Sequence, residues 1–140
     1  MNINKITEIF KDCELSGKKI IIKAGLSDIM SFIKTNYGFV MLKNITAVDN
    51  AENGIELIYR LYSPDDDENV VLSASVKDEA ASISKIFDSA IADEKEIYDL
   101  FGITFIGNDE LERLYLPESW RGHPLRKNYT ENDERLAWNE

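Results

Sequence analysis

Apolar residues at 3, 6, 9, 10, 13 and 15 recur mostly at spacings of three or four, and Gly17 follows. That spacing predicts an amphipathic helix over 3–15 with a glycine stop. Cys13 falls on its apolar stripe and reads as a buried core thiol. Lys19 to Lys23 (KIIIK) reads as a short strand. Ser27 then stands where it would cap a second helix, whose apolar positions are Ile29, Met30, Phe32, Ile33 and Tyr37, with Gly38 as its stop. Three strand-like runs follow. Residues 39–48 are rich in apolar and β-branched types, and both 55–62 and 70–77 alternate. Short links between them, one carrying Asn53-Gly54 and the other Pro64 to Asn69, imply an antiparallel meander. From Ser82 to Phe101 the period returns to helical, through Ile83, Ile86, Phe87, Ala90, Ile91, Ile97, Tyr98 and Phe101, and Gly102 supplies the stop. These elements predict a two-layer α+β fold: an antiparallel sheet with helices on one face, followed by an extended irregular C-terminal tail. The expected division is an α+β domain over 1–106 and a tail over 107–140.

Composition narrows the classes. The chain has 140 residues and a formal net charge of −10, which argues against nonspecific binding to nucleic acid or anionic membranes. One cysteine excludes an internal disulfide and any thiolate cluster built from this chain alone. The first residues hold no apolar stretch of signal-peptide or anchor length, so a soluble protein of a reducing compartment is expected. The acidic run Asp65 to Glu68 lacks the glycine and distal glutamate of a calcium loop and reads as a solvated hairpin turn.

The tail differs in character. It holds Arg113, Arg121, Arg126 and Arg135, Pro117 and Pro124, Trp120 and Trp138, and the only histidine, His123. Between 111 and 130 the balance is +2, within a chain of −10. Aromatic and arginine content of this kind suits an interface, and a long segment without regular structure suits a partner-bound role.

Two blocks carry a resemblance. Glu94-Lys95-Glu96-Ile97-Tyr98-Asp99-Leu100-Phe101-Gly102 and Leu116-Pro117-Glu118-Ser119-Trp120-Arg121-Gly122-His123-Pro124-Leu125-Arg126-Lys127-Asn128-Tyr129 closely resemble the signature of the 30 kDa (C-type) subunit of respiratory complex I. That family includes the small subunit of energy-converting, membrane-bound NiFe hydrogenases. The departures are Lys95 where the family usually has Arg, Ala92 for Trp, Asn108-Asp109 for His-Pro, and Glu112 for a common Arg. With the short chain, they make it look most like the compact hydrogenase relative, with the C-type subunit of a complex I-like NADH or ferredoxin:quinone oxidoreductase as the alternative. The resemblance implies a non-catalytic peripheral-arm subunit at the cytoplasmic face of the membrane. It would carry no cofactor. A NiFe centre and iron–sulfur clusters would sit in partners: a large hydrogenase-type subunit (like the D-type one of complex I), a small iron–sulfur subunit and a ferredoxin-like subunit, with membrane subunits contacted indirectly.

The expected interface and signature residues are Glu94, Glu96, Tyr98, Asp99, Phe101, Gly102, Arg113, Leu116, Pro117, Trp120, Gly122, His123, Pro124, Leu125, Arg126, Lys127 and Tyr129. Glu94, Glu96 and Asp99 lie on or beside an apolar helix face, so they should meet cations or backbone donors, with Arg113, Arg126 and Lys127 available. Glu94 and Glu96 cannot form an acid/base pair, because residues two apart on a helix point about 200° from each other. His123 has no evident nucleophile or base beside it in sequence. A glycine-rich phosphate loop, a nucleophile elbow and a metal constellation are all missing from the sequence, which disfavours a stand-alone enzyme.

Overall fold

The computed structural model describes residues 3–17 and 19–110. Helix α1 (Ile3–Ile9) is followed by a hairpin of β1 (Cys13–Ser16) and β2 (Lys19–Ile22), then by α2 (Leu26–Tyr37). Strands β3 (Met41–Asp49), β4 (Ile55–Ser63) and β5 (Glu68–Val76) follow, then β6 (Glu79–Ala81), α3 (Ala90–Phe101) and β7 (Thr104–Ile106).

The main sheet has the order β1-β2-β5-β4-β3. Its β3–β4–β5 part is the expected antiparallel meander, with Tyr59 opposite both Ile45 and Leu72. The sheet as a whole is mixed, because β2 joins β5 in parallel, Ile20 opposite Leu72. A second, two-stranded sheet pairs β6 with β7 in parallel.

Along β4 burial alternates: Leu57, Tyr59 and Leu61 are buried, while Glu56, Ile58, Arg60 and Tyr62 between them are half-buried. The inward residues share one core with Ile29, Met30 and Ile33 of α2 and with Ala90, Ile97 and Phe101 of α3. The outward face mixes apolar and polar residues, and on it Lys19 Nζ meets Glu56 Oε2 at 2.7 Å, while Ser73 Oγ donates to the same oxygen at 2.6 Å. This is the predicted α+β class, helices against one face of a sheet.

Three local expectations change. The first helix ends at Ile9, and Cys13–Ser16 forms a strand instead, with Cys13 buried as expected. Gly17, at φ 65°, turns that strand onto β2, so a local hairpin takes residues whose spacing also suited a helix. The second helix begins at Leu26 with Gly25 as its N-cap residue, and Ser27 lies inside it, so Ser27 makes no cap. The third helix begins at Ala90 rather than Ser82. Residues 82–89 form turns after β6, and the Ser82 N–H still pairs with the Ile106 carbonyl at 2.9 Å, next to the β6–β7 ladder. The Pro64 to Asp67 turn is exposed, as expected of a solvated hairpin tip.

Candidate functional site

Helix α3 brings the first signature block onto the fold. Its apolar side, Ala90, Ile97 and Phe101, packs into the core, and Gly102 ends it at φ 78°, donating its N–H to the Tyr98 carbonyl at 2.9 Å. The same inward side carries Glu94, and Asp99 is buried at another point of the helix circumference, both 0% exposed. Glu96 is exposed on the other side, so the expected divergence of Glu94 and Glu96 holds. Tyr98 is half-buried.

Glu94 is met by neutral donors. Its Oε1 accepts from Ser82 Oγ at 2.6 Å and from Asn108 Nδ2 at 2.9 Å, and its Oε2 accepts the Ile83 N–H at 2.9 Å. Behind Ser82 stands Ser84, with 2.7 Å between the hydroxyl oxygens, and the Ser84 N–H also donates to Ser82 Oγ. The backbone donor was anticipated; among the described residues the other partners of Glu94 are a hydroxyl and an amide, while the candidate cations Arg113, Arg126 and Lys127 lie outside them. Burial pushes the Glu94 carboxyl above the ordinary glutamate range, and the three donors offset only part of that.

The neighbouring Asp93 serves the sheet. Its Oδ2 accepts the Ile45 N–H at 2.9 Å, tying the start of α3 to the outer edge of β3, and burial raises its pKa as well. Tyr59, from β4, is buried, and its Oη has no hydrogen-bond partner among the described residues. Burial holds its phenol neutral, with the nearby Glu94 charge acting in the same direction.

After β7 the chain turns back onto α3. Gly107 takes φ 104°, Asn108 is buried at 8% exposure, and Asn108 Oδ1 accepts the Glu110 N–H at 2.9 Å. Lys95 Nζ approaches Glu110 Oε1 at 3.9 Å. Between α3 and β3 lies a shallow groove of about 220 Å³ lined by Ile45, Ala47, Ile97, Leu100 and Phe101, with Glu96 at its margin.

Six of the expected residues, Glu94, Glu96, Tyr98, Asp99, Phe101 and Gly102, are therefore gathered on α3 and its stop. The others, Arg113, Leu116, Pro117, Trp120, Gly122, His123, Pro124, Leu125, Arg126, Lys127 and Tyr129, lie outside the described residues. Sequence reasoning missed Ser82, Asp93 and Tyr59, which carry no local mark of their roles. Asn108 did carry one, as a departure from the family pattern. Among the described residues, no group of three or more His, Cys, Asp or Glu side chains could hold a metal ion, and no helix is long and apolar enough to cross a membrane.

Comparison with known proteins gives this geometry a family. The family model of the respiratory-chain NADH dehydrogenase 30 kDa subunit matches residues 20–135, from β2 through both signature blocks. The C-type subunit of NADH-quinone oxidoreductase from Geobacter sulfurreducens is 36% identical over 108 residues, covering 73% of this chain and 67% of the relative. The fused C/D-type subunit from Bacteroides fragilis is 32% identical over 133 residues, covering 84% of this chain and 25% of the relative. Its counterpart from Phocaeicola vulgatus is 39% identical over 95 residues, covering 65% of this chain and 18% of the relative. The matched part of this chain thus spans a quarter or less of the two C/D relatives. All three are named as NADH-quinone oxidoreductase subunits, which favours the complex I alternative over the hydrogenase reading that the departures had suggested. With a match that runs through most of its length, this chain belongs to the respiratory-chain NADH dehydrogenase 30 kDa subunit family.

Proposed function

We propose that this chain acts as the C-type subunit of a complex I-like NADH-quinone oxidoreductase, a structural component that docks onto a D-like neighbour and performs no redox step itself. The observation that carries the reading is the family match over residues 20–135, which includes the arginine- and aromatic-rich segment after Glu110. The name C/D, borne by relatives such as that of Bacteroides fragilis, joins both subunits in one protein and supports a D-like neighbour. The chain's single cysteine supports placing the iron–sulfur clusters in companion subunits, since a cluster takes four thiolates. The assembly would sit at the cytoplasmic face of the membrane, where membrane subunits translocate ions.

Leu116, Pro117, Trp120, Leu125 and Tyr129 supply the apolar anchors of the docking segment, with Arg113, Arg126 and Lys127 pairing with partner or α3 carboxylates. Truncation of Trp120 to Ala is expected to weaken retention of the partner by about 2 kcal/mol, roughly 30-fold. Undiminished retention would remove Trp120 from the anchors.

The direct test tags the full chain, extracts membranes gently and identifies companions and metals. A D-like companion with iron, no nickel, and NADH- or quinone-linked reduction supports the proposal. Nickel with hydrogen-dependent electron transfer would move the chain to the energy-converting hydrogenase branch. A chain that emerges alone would overturn docking altogether.

A further inference from the structure

We infer that the Glu94 carboxylate is a proton-operated latch on the turn that follows β7: ionised, it holds Asn108 and, through Asn108, the turn at Glu110; protonated, it lets Asn108 go. This deepens the proposed function and rests on it, because the segment that starts at 111 is the one assigned to the partner.

The latch is a chain of hydrogen bonds from α3 outward. Glu94 Oε1 accepts from Asn108 Nδ2, and Asn108 Oδ1 accepts the Glu110 N–H. The Asn108 N–H is itself returned to the Phe105 carbonyl at 3.2 Å, closing the turn at Gly107. One side-chain amide thus bridges α3 and the backbone of Glu110, and its hold on the helix needs an acceptor at Glu94.

The other partners of Glu94 determine what a proton does there. The Ile83 N–H can only donate, and Asn108 presents its Nδ2 donor to Glu94 while its Oδ1 is engaged by the Glu110 N–H. Ser82 and Ser84 are hydroxyls that rotate. With Glu94 ionised, Ser84 O–H donates to Ser82 Oγ and Ser82 O–H donates to Oε1. A proton arriving from water through half-buried Ser82 bonds to Oε1, and both hydroxyls then reverse: Glu94 O–H donates to Ser82, and Ser82 donates to Ser84. Oε1 is left as a poorer acceptor facing the Asn108 donor, while Oε2 keeps the Ile83 N–H. The proton has a place to go, and Asn108 is the partner that loses.

The surroundings favour such a titration. From its own helix Asp93 repels the Glu94 charge, and Asp99, five residues on, points about 140° away from it. From β4 the group facing it is the neutral Tyr59 phenol, and at the exit stands the Lys95–Glu110 pair. Burial raises the Glu94 pKa, so release comes at milder acidity than an exposed glutamate would allow.

The test is an NMR titration of the labelled full chain without any partner, so its result stands apart from the docking proposal, which the companions decide. The Asn108 side-chain amide and the Glu110 backbone amide are expected to shift together, with one midpoint above the ordinary glutamate range. Asp93→Asn is expected to lower that midpoint. Ser82→Ala, which removes the rotating hydroxyl, is expected to abolish the shared shift at Asn108 and Glu110, and Glu94→Gln to abolish it in a chain that still folds. If Glu94→Gln does not fold, the Asp93 and Ser82 variants decide. Asn108 and Glu110 resonances that stay still while Ile83 titrates, or a joint shift that survives Ser82→Ala, would overturn the latch.

Discussion

A buried carboxylate held by a hydroxyl, an amide and a backbone N–H differs from one held by an arginine. Each of its donors is weaker alone, but all three are aimed at a site that water does not reach. Truncating Glu94 to Ala would remove the acceptor of the Ile83 N–H and of Asn108 Nδ2. The expected cost is about 2–3 kcal/mol of unfolding free energy. Asp93→Ala strands a single donor, the Ile45 N–H at the margin of the sheet, where water can substitute, and is expected to cost about 1 kcal/mol. Urea titration of both variants checks the order. A larger loss at Asp93 would mean that the tie between α3 and β3, rather than the Glu94 cluster, dominates the local stability.

Among the elements, the β3–β4 turn carries the clearest backbone demand. Gly54 sits at φ 84°, ψ −161°, a region open essentially to glycine alone, and a Cβ there would lie 2.6 Å from the Val76 carbonyl oxygen. Gly54→Ala is therefore expected to destabilise by about 2 kcal/mol or more. Ala51, at φ 57°, stands in the left-handed region with a Cβ, so Ala51→Gly is expected to stabilise by up to about 1 kcal/mol. Thermal melts of the pair should move in opposite directions, and a shared direction would contradict the assigned turn. The elements legible in the sequence were those with a local cause. The β4 alternation, the glycine stops at Gly38 and Gly102, and the hairpin at Asn53-Gly54 all declared themselves. The 3–15 helix was misread because Cys13 and Leu15 satisfy a period of two as well as a helical stripe, and the decision lay with β2 across Gly17. The parallel β2–β5 and β6–β7 pairings join residues far apart in sequence and leave no local trace. Likewise the 82–101 periodicity is real as burial, since Ile83 and Phe87 are core residues, but they enter the core from turns.

At the scale of the molecule, the signature made the family legible and put Glu94, Glu96 and Asp99 alike on or beside the apolar face of α3, where the structure buries Glu94 and Asp99 and leaves Glu96 exposed. It could not reveal that Glu94 reaches Ser82 and Asn108, because those contacts depend on how β6, α3 and β7 close on one another. The closure has a consequence for acid stability, with two carboxylates acting in opposite senses. Glu94 has a folded-state pKa raised above the ordinary glutamate value, chiefly by burial, so folding favours its protonated form. Its contribution is fully favourable below the ordinary value and is lost as pH rises through the raised one. Glu56 is lowered, first by its hydrogen bond to Lys19 and then by that to Ser73. Its stabilisation is present above the ordinary value and is lost as pH falls through the lowered one. The expected outcome follows from comparing each glutamine variant with the parent. Relative to Glu94→Gln, the parent is least favoured at neutral pH and gains steadily as acid is added through the raised range. Relative to Glu56→Gln, the parent is favoured at neutral pH and loses that advantage only at stronger acidity, below the ordinary glutamate range. Urea midpoints taken from neutral pH downward for the three proteins resolve the two curves. Parallel curves would mean that Glu94 keeps an ordinary pKa, and that its burial among Ser82, Ile83 and Asn108 is fully compensated by those donors.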